Sequence, residues 1–388
     1  MSGGLRLSDT ELIFLILAVI YLAECGCWLR GTALCFTSGW RRHRLVEALL
    51  PLQHESGRLV FTSLWPWARS FVCQAWPIPL DPHGLVVGSA GSQTEDWLTY
   101  DQVRSVVQRE REVRVNGRLV AALTSEPHAE FVTARLQRIC QAPAADRQRV
   151  IGLVLDETQD TEAVARRLAL LQQTTASLRD TCTMFLVFAF VVGPVLYYLP
   201  WPVGTPAVWM YGVGFVALWL MLIFQYYAVR RAVCAEPRSS RLWHTCLLLL
   251  SPGSAMRTAE TVSRNFLAPF HPLAAACVLC APARLAEFAE RTLRDLRHPL
   301  PDRRRSDASP AARAVTWFQQ ELLVRAERAV SAAGLDPAAL LVEPPRSPDA
   351  RSYCPRCATQ YVFPEGVCAT CHGLPLVPYA ARADRVRS

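Results

Sequence analysis

Four cysteines stand in two closely spaced pairs near the C-terminal end of this 388-residue chain. Cys354-Pro-Arg-Cys357 is followed, after ten intervening residues, by Cys368-Ala-Thr-Cys371. A Cys-x-x-Cys turn directs two thiolates at one point, and two such turns complete a tetrahedral shell of sulfur atoms. The spacing therefore predicts one structural zinc ion held by four ligands, Cys354, Cys357, Cys368 and Cys371.

The residues between the two pairs predict the local structure of this module. The segment ATQYVFPEGV contains an aromatic and β-branched run followed by a Pro-Glu-Gly turn, which favours a minimal β-hairpin between the pairs. A module of this size cannot bury a sufficient apolar core. We therefore expect metal binding to supply the free energy that folds it.

The terminal segment CPRCATQYVFPEGVCATCHGLPLVP resembles the zinc-ribbon modules of the rubredoxin-like type. The shared features are Cys-Pro-x-Cys, an aromatic residue, Cys-x-x-Cys and a Pro-Leu-Val tail. The resemblance covers 25 of the 388 residues and implies a four-cysteine metal site in an interaction module. Such modules usually carry a glycine after each cysteine pair, whereas this chain has Ala358 and His372 there.

Two alternatives for the cysteines stay open at this stage. Cys368-Ala-Thr-Cys371-His372 also has the pattern of c-type haem attachment, but this interpretation leaves Cys354 and Cys357 without a role. Iron in the same all-thiolate shell is the second alternative, because geometry alone does not separate zinc from iron. Either one would make the protein a redox protein or electron carrier.

Composition indicates a membrane protein with soluble parts, since 51% of the residues are hydrophobic and the mean hydropathy is +0.16. The formal net charge is +8, yet the 41 basic residues, all of them arginine, are scattered among 33 acids. No basic patch interleaved with aromatic residues stands out, which disfavours nucleic acid as a partner.

Three apolar runs predict transmembrane helices at 12–29, 183–200 and 206–229. Arginines flank one end of each run, among them Arg30, Arg179 and Arg230. The positive-inside rule then predicts a multi-pass protein of the plasma (inner) membrane, with its N-terminus outside and its C-terminus in the cytoplasm. The segment 266–282 leaves a fourth span open, although its prolines favour a buried or membrane-surface elbow.

The soluble segments complete a mixed membrane fold, with a cytoplasmic α+β domain, a cytoplasmic helical region and a zinc ribbon beside the three helices. Asn116-Gly117 predicts a two-residue hairpin turn, and Ser125 and Ser309 predict helix starts. The strand and helix order over 58–140 resembles a pleckstrin-homology-like module. The predicted bounds are 45–145 for the α+β domain, 161–181 for a helix leading into the membrane, 242–334 for the helical region, which could also lie on the membrane surface, and 350–378 for the ribbon.

The predicted function is a non-enzymatic, membrane-anchored scaffold or regulatory protein that presents the ribbon in the cytoplasm. Its predicted partners are the lipid bilayer and a cytoplasmic protein, and oligomer formation stays open. An accessory transport subunit is a further alternative, based on Glu24 within the first apolar run. No catalytic residue is predicted, because the sequence has none of the common enzyme motifs and the Cys277-Val-Leu-Cys280 pair lies in apolar surroundings that disfavour redox chemistry.

Overall fold

The computed structural model describes twelve segments of the chain, namely residues 12–13, 15–16, 52–55, 58–61, 70–87, 96–123, 125–198, 206–233, 238–250, 267–300, 309–371 and 373–379. The chain divides into two compact units. The first unit comprises residues 1–53, 60–72 and 163–268, and the second comprises 54–59, 73–162 and 269–388.

Eleven short strands form four sheets within the described segments. Three sheets precede the helices, with strand orders β1-β2-β3, β4-β5 and β6-β7-β8, and the fourth, β10-β9-β11, lies near the C-terminus. The strands are β1 (Leu52–Glu55), β2 (Arg58–Phe61), β3 (Ser70–Gln74), β4 (Gly84–Val87), β5 (Asp96–Thr99), β6 (Val106–Arg109), β7 (Glu112–Val115), β8 (Arg118–Ala122), β9 (Ser352–Tyr353), β10 (Gln360–Tyr361) and β11 (Val377–Pro378).

The predicted hairpin turn at Asn116-Gly117 is confirmed. The antiparallel strands β7 and β8 are joined by these two residues, which have φ angles of 51° and 79°. The Asn116 side-chain oxygen also accepts hydrogen bonds from the backbone N–H groups of Arg104 and Ser105, at 2.8 and 3.1 Å. Asparagine and glycine tolerate the left-handed backbone that this turn requires, so the turn fixes the register of the two strands.

Ten α-helices follow β8 in the described segments, together with a π-helical turn at Phe188–Val192. The helices are α1 (Glu126–Gln141), α2 (Arg147–Gln159), α3 (Thr161–Val187), α4 (Gly193–Tyr198), α5 (Pro206–Val233), α6 (Arg238–Leu250), α7 (Pro272–Leu279), α8 (Pro282–Arg297), α9 (Pro310–Ala332) and α10 (Pro337–Leu340).

Two predicted helix starts are confirmed in the second unit. The Ser125 hydroxyl accepts a hydrogen bond from the His128 N–H at the start of α1, and the Ser309 hydroxyl accepts one from the Ala312 N–H at the start of α9. Each serine satisfies one of the backbone donors that a helix N-terminus leaves without a partner. A proline in the first turn completes both starts.

One hydrophobic core joins the strands and helices of the second unit. Val113 of β7, Leu136 of α1 and Ile151 of α2 are fully or almost fully buried in it, and α9 adds Phe318 and Leu322. Burial of each large apolar side chain contributes about 1.5–3 kcal/mol. Residues more than 150 positions apart in sequence therefore depend on one another for stability.

An arginine of α9 also links that helix to α2. Arg325, only 9% exposed at its side chain, pairs with Asp156 at 2.8 Å and with Glu321 of its own helix. A buried guanidinium requires such partners, because an unpaired charge in the interior is strongly destabilising.

Aromatic contacts join the helices of the first unit. The rings of Phe185 and Phe215 lie 5.1 Å apart, and those of Phe188 and Tyr211 stack at 4.8 Å. Gly214 allows this approach, because a Cβ atom there would lie 2.9 Å from the Phe188 ring. The C-terminal part of α3 and the π-helical turn thus pack against α5.

The predicted fold with three transmembrane helices is wrong. Among the described residues, one helix is long and apolar enough to cross a membrane, the 24-residue stretch Trp209–Ala232 of α5. The described part of the run 183–200, residues 183–198, is divided among the end of α3, the π-helical turn and the six-residue α4, and is not such a helix. Pro194 lacks the N–H that would continue the α-helical hydrogen bonds, and the Gly193 N–H instead bonds to the Phe188 carbonyl.

Other predictions lie wholly or largely outside the described residues. The apolar run 12–29 is described at only four positions, and Glu24, Arg30 and the segment 301–308 are not among those described. The segment 266–282 is described from residue 267 and contains the eight-residue helix α7, whose Leu273, Ala275 and Leu279 are fully buried. The described part of this segment is therefore a short buried helix, too short to span a membrane.

Candidate metal centre

Three short strands hold the two cysteine pairs. β9 pairs antiparallel with both β10 and β11, so the first pair forms the loop between β9 and β10. The predicted hairpin between the cysteine pairs is wrong, because β10 pairs with a strand that precedes the first cysteine. Strand pairing between β9 and β10 therefore fixes the loop that carries Cys354 and Cys357.

The four cysteine sulfur atoms lie together, all within 4.8 Å of one another. The Sγ atoms of Cys357 and Cys368 are 3.6 Å apart, close to the edge of about 3.8 Å that a sulfur tetrahedron has at a zinc–sulfur distance of about 2.3 Å. Cys354 and Cys368 are fully buried, Cys371 is 5% exposed, and Cys357 lies at the surface. The structure thus contains a group of four thiols that could hold a metal ion, consistent with a zinc ribbon.

Backbone hydrogen bonds shape the two cysteine turns. The Ala358 N–H donates to the Cys354 carbonyl at 2.9 Å, and the Gly373 N–H donates to the Cys368 carbonyl at 3.0 Å. Both donors have a left-handed backbone, with φ of 58° at Ala358 and 98° at Gly373. Ala358 therefore occupies a conformation that favours glycine, which explains the glycine expected at that position.

Hydrogen bonds and burial give the buried thiols different pKa values. Burial raises the pKa of Cys368, but the Tyr361 hydroxyl at 3.2 Å, the Cys371 N–H at 3.3 Å and the neighbouring thiols outweigh it and lower that pKa to about 6. The hydrogen bond to Cys368 in turn raises the pKa of Tyr361 to about 12. Burial raises the pKa values of Cys354 and Cys371. The lowered pKa favours the thiolate form of Cys368, and the thiolate is the form that binds a metal ion.

An arginine inside the first cysteine turn binds the end of α8. The Nε atom of Arg356 lies 3.0 Å from the Asp295 carboxylate, and its NH1 group donates to the carbonyls of Asp295 and His298 at 3.1 and 2.8 Å. The carbonyls at a helix C-terminus lack partners within the helix. Arg356, which stands between two of the four cysteines, therefore caps α8.

α8 makes a return contact with the same turn. Its residue Arg294, 5% exposed, donates to the carbonyls of Pro355 at 3.2 Å and Val342 at 2.7 Å, and pairs with Glu290 at 2.9 Å. Each arginine thus donates hydrogen bonds to backbone carbonyls beside the other arginine. Within the second unit, the cysteine module is fixed to a helix.

The run EPPRSPDARS, residues 343–352, predicts an exposed linker. The residues of this run before β9 are largely exposed and lie outside helices and strands, and some of them contact the module. The Gln360 side chain donates to the Pro345 carbonyl at 2.7 Å and accepts from the Ser347 N–H at 2.9 Å. The Arg346 guanidinium lies 5.4 Å from the centre of the Tyr379 ring. The segment is therefore largely exposed, as predicted, and these contacts also connect it to residues on the far side of the first cysteine pair.

Residues that suggested other chemistry do not join this group. His372, the axial ligand of the haem alternative, lies outside the described residues. Burial raises the pKa of Cys277 to about 11 and Cys280 is 7% exposed, which agrees with the disfavoured redox interpretation of that pair. Sequence reasoning missed Arg294 and Arg356. The only available signal was an arginine within a Cys-x-x-Cys turn, which does not identify its partner.

Comparison of the chain with protein-family models, curated proteins and solved structures gives no match.

Proposed function

We propose that this chain is a non-enzymatic, membrane-anchored scaffold whose terminal zinc ribbon is a structural module for binding a partner protein. The proposal rests chiefly on the closed group of four thiols, three of them buried, fixed to α8 through Arg294 and Arg356. One zinc ion bound by all four thiolates has no open position for a substrate water, which is typical of structural and not catalytic zinc.

A cavity lies beside the ribbon in the second unit. It measures about 330 Å³ and is lined by apolar side chains together with His271, Thr292, Asp295, Gln319 and Arg356. Several of these polar groups make structural contacts: the Thr292 hydroxyl donates to a carbonyl of its own helix, the His271 ring accepts from the Leu273 N–H, and Arg356 pairs with Asp295.

The exposure of α5 supports membrane anchoring. Only 17% of the apolar stretch Trp209–Ala232 is buried, whereas the core helix of a soluble protein would be mostly buried. Trp209, Val213 and Phe224 are 74%, 67% and 73% exposed. Arg230 and Arg231 stand at the C-terminal end of this stretch. By the positive-inside rule we infer that this end, and the ribbon after it, faces the cytoplasm of the plasma (inner) membrane.

An apolar surface on the ribbon is the proposed contact for a cytoplasmic partner protein. Val362, Phe363 and Val367 are 65%, 44% and 58% exposed around the Pro-Glu-Gly turn. Such residues in a module fixed by metal would form a rigid interaction surface.

The metal assignment is tested by the metal content and visible spectrum of the purified full-length protein. We expect one zinc per chain and no visible absorption band, and we expect Cys354→Ser to lose the zinc. Cys246→Ser is the matched control, because Cys246 is exposed on α6, outside the thiol group. Retention of zinc by Cys354→Ser would contradict the proposed ligand set.

The scaffold role is tested by a photo-crosslinking residue placed at Val362 in the full-length protein in cells. The control position is Val324 of α9, which is 53% exposed but lies outside the ribbon. We expect a specific adduct from position 362 that is lost when Cys368→Ser removes the metal site. Equal adducts from both positions, or an adduct that survives Cys368→Ser, would contradict a zinc-dependent interaction surface.

The second candidate is a redox protein with iron in the same shell. Hydrogen bonds to the Cys368 sulfur, from the Tyr361 hydroxyl and the Cys371 N–H, are of the kind that tune an iron–thiolate centre. A visible absorption band from purified protein, with iron in place of zinc, would favour this candidate over the scaffold.

A further inference from the structure

Helix α6 presents an exposed apolar face next to the membrane helix. Leu242 and Trp243 are 48% and 64% exposed, and Cys246 is also exposed. Positions 242, 243 and 246 share one side of an α-helix. In the first unit α6 contacts α5, so its exposed apolar residues lie near the helix that is apolar enough to cross a membrane.

Four arginines and one acidic residue, Glu236, lie in the sequence around the junction between α5 and α6. Arg230 and Arg231 end α5, Arg238 begins α6 and Arg241 follows one turn later, with only four residues, 234–237, between the helices. The buried Nε atom of Arg241 has no hydrogen-bond partner among the described residues. Helices that lie at a membrane interface combine tryptophan and leucine with arginine, as α6 does. Arg241 lies nearly opposite Trp243 around the helix, whereas Arg238 lies one turn before Leu242 on the same side.

We propose that α6 is a lipid-binding helix, with Leu242 and Trp243 among the acyl chains and Arg238 and Arg241 at anionic phospholipid headgroups. The inference rests on the proposed membrane anchoring by α5 and extends it. If α5 crosses the bilayer, the short connection keeps α6 near the membrane surface. Its arginines then face the cytoplasmic leaflet, where anionic lipids attract basic groups.

A lipid surface fits these observations better than a protein groove. Both helices that contact each other here have exposed apolar residues, and in sequence the arginines at the start of α6 closely follow those near the end of α5. This is the order that a chain leaving a bilayer requires, apolar span first and basic headgroup contacts next. A protein partner on this face would instead shield Trp243 from lipid.

The test uses the full-length protein in liposomes that contain lipids brominated near the headgroup, because bromine quenches tryptophan fluorescence on contact. The contribution of Trp243 is the difference between wild type and Trp243→Phe, and that of Trp209 on α5 comes from Trp209→Phe. We expect brominated phosphatidylglycerol to remove more than half of the Trp243 contribution. Replacement of Arg238 and Arg241 by glutamine should raise the anionic-lipid fraction needed for half-maximal quenching by about two- to fivefold.

The reference tryptophan separates two kinds of failure. Quenching of Trp209 without quenching of Trp243 would overturn the lipid-binding role of α6 and leave the membrane anchor intact. Absence of quenching at both positions would overturn the anchor itself. Equal quenching of Trp243 by neutral and anionic brominated lipids would refute the headgroup role of the arginines. Arg284→Gln, an exposed arginine of α8, is the control and should change nothing.

Discussion

If the four thiols bind the proposed zinc ion, removal of the Arg356 side chain should weaken that binding, although this residue is not one of the proposed ligands. The Arg356→Ala change removes an ion pair with Asp295 and two hydrogen bonds to the end of α8. The two side chains are 17% and 20% exposed, so a nearly buried carboxylate is left without this partner. Loss of one member of a buried pair costs about 3–5 kcal/mol, and this partial exposure favours the lower end, about 3 kcal/mol.

This cost should appear in metal affinity because the ribbon has little core of its own. Metal binding and folding are then coupled, and a contact present only in the folded ribbon contributes to the affinity. A loss of about 3 kcal/mol corresponds to a Kd for zinc that is about 100-fold higher. The measurement is a competition titration of the full-length protein with a zinc chelator of known affinity.

Arg284→Ala is the matched control, since Arg284 lies on the same helix in an exposed pair with Glu287, at 66% and 70% side-chain exposure. Exposed pairs contribute little, so we expect less than about a twofold change in the zinc Kd. A Kd for Arg356→Ala within twofold of wild type would refute the reasoning. It would mean that the ribbon binds zinc as an independent module, without help from α8.

Three further changes test other contacts. Ala358→Gly should stabilise the zinc-bound ribbon by about 1 kcal/mol, because φ is 58° there, and should slow zinc release to a chelator; faster release would contradict this. Arg325→Ala should destabilise the second unit by about 3 kcal/mol and lower its melting temperature. The control is Arg328→Ala, which should have almost no effect because the Arg328 side chain is 66% exposed and lies 3.7 Å from Asp156. Equal effects of the two changes would show that burial of Arg325 is unimportant. Burial lowers the pKa of His128 to about 4, so the unfolded chain binds a proton that the folded chain does not, and stability should fall by up to about 3 kcal/mol as pH falls from about 6.5 to 4. Thermal unfolding at several pH values should show a smaller loss for His128→Leu, and an unchanged loss would exclude this histidine as its source.

Features that depend on a few neighbouring residues could be predicted from the sequence. Asn116-Gly117 specifies its turn through the backbone angles that both residues tolerate. Ser125 and Ser309 begin helices because a hydroxyl can accept from an N–H three residues later. The spacing of the cysteines identified the thiol group for the same reason, since each pair is a local turn.

Contacts between distant segments could not be predicted. The partner of Arg356 lies about sixty residues earlier in the chain, and no local pattern indicates it. The partner of β10 is β9, before the first cysteine, whereas the sequence predicted a hairpin formed wholly between the two cysteine pairs. The prediction of a transmembrane helix at 183–200 failed for another reason. Hydropathy depends only on composition, whereas Pro194 lacks an N–H and so changes which backbone groups can form hydrogen bonds.

The hydrogen bonds that Arg294 and Arg356 donate have a consequence for protein engineering. A module built on four cysteines could be moved to another protein by itself only if its contacts with the rest of the chain were unimportant. Here half of the interface belongs to the host helix, and a foreign ribbon without arginine at position 356 would leave the end of α8 uncapped. A chimeric protein that contains this ribbon should therefore also contain α8, because the helix and the ribbon stabilise each other through these contacts.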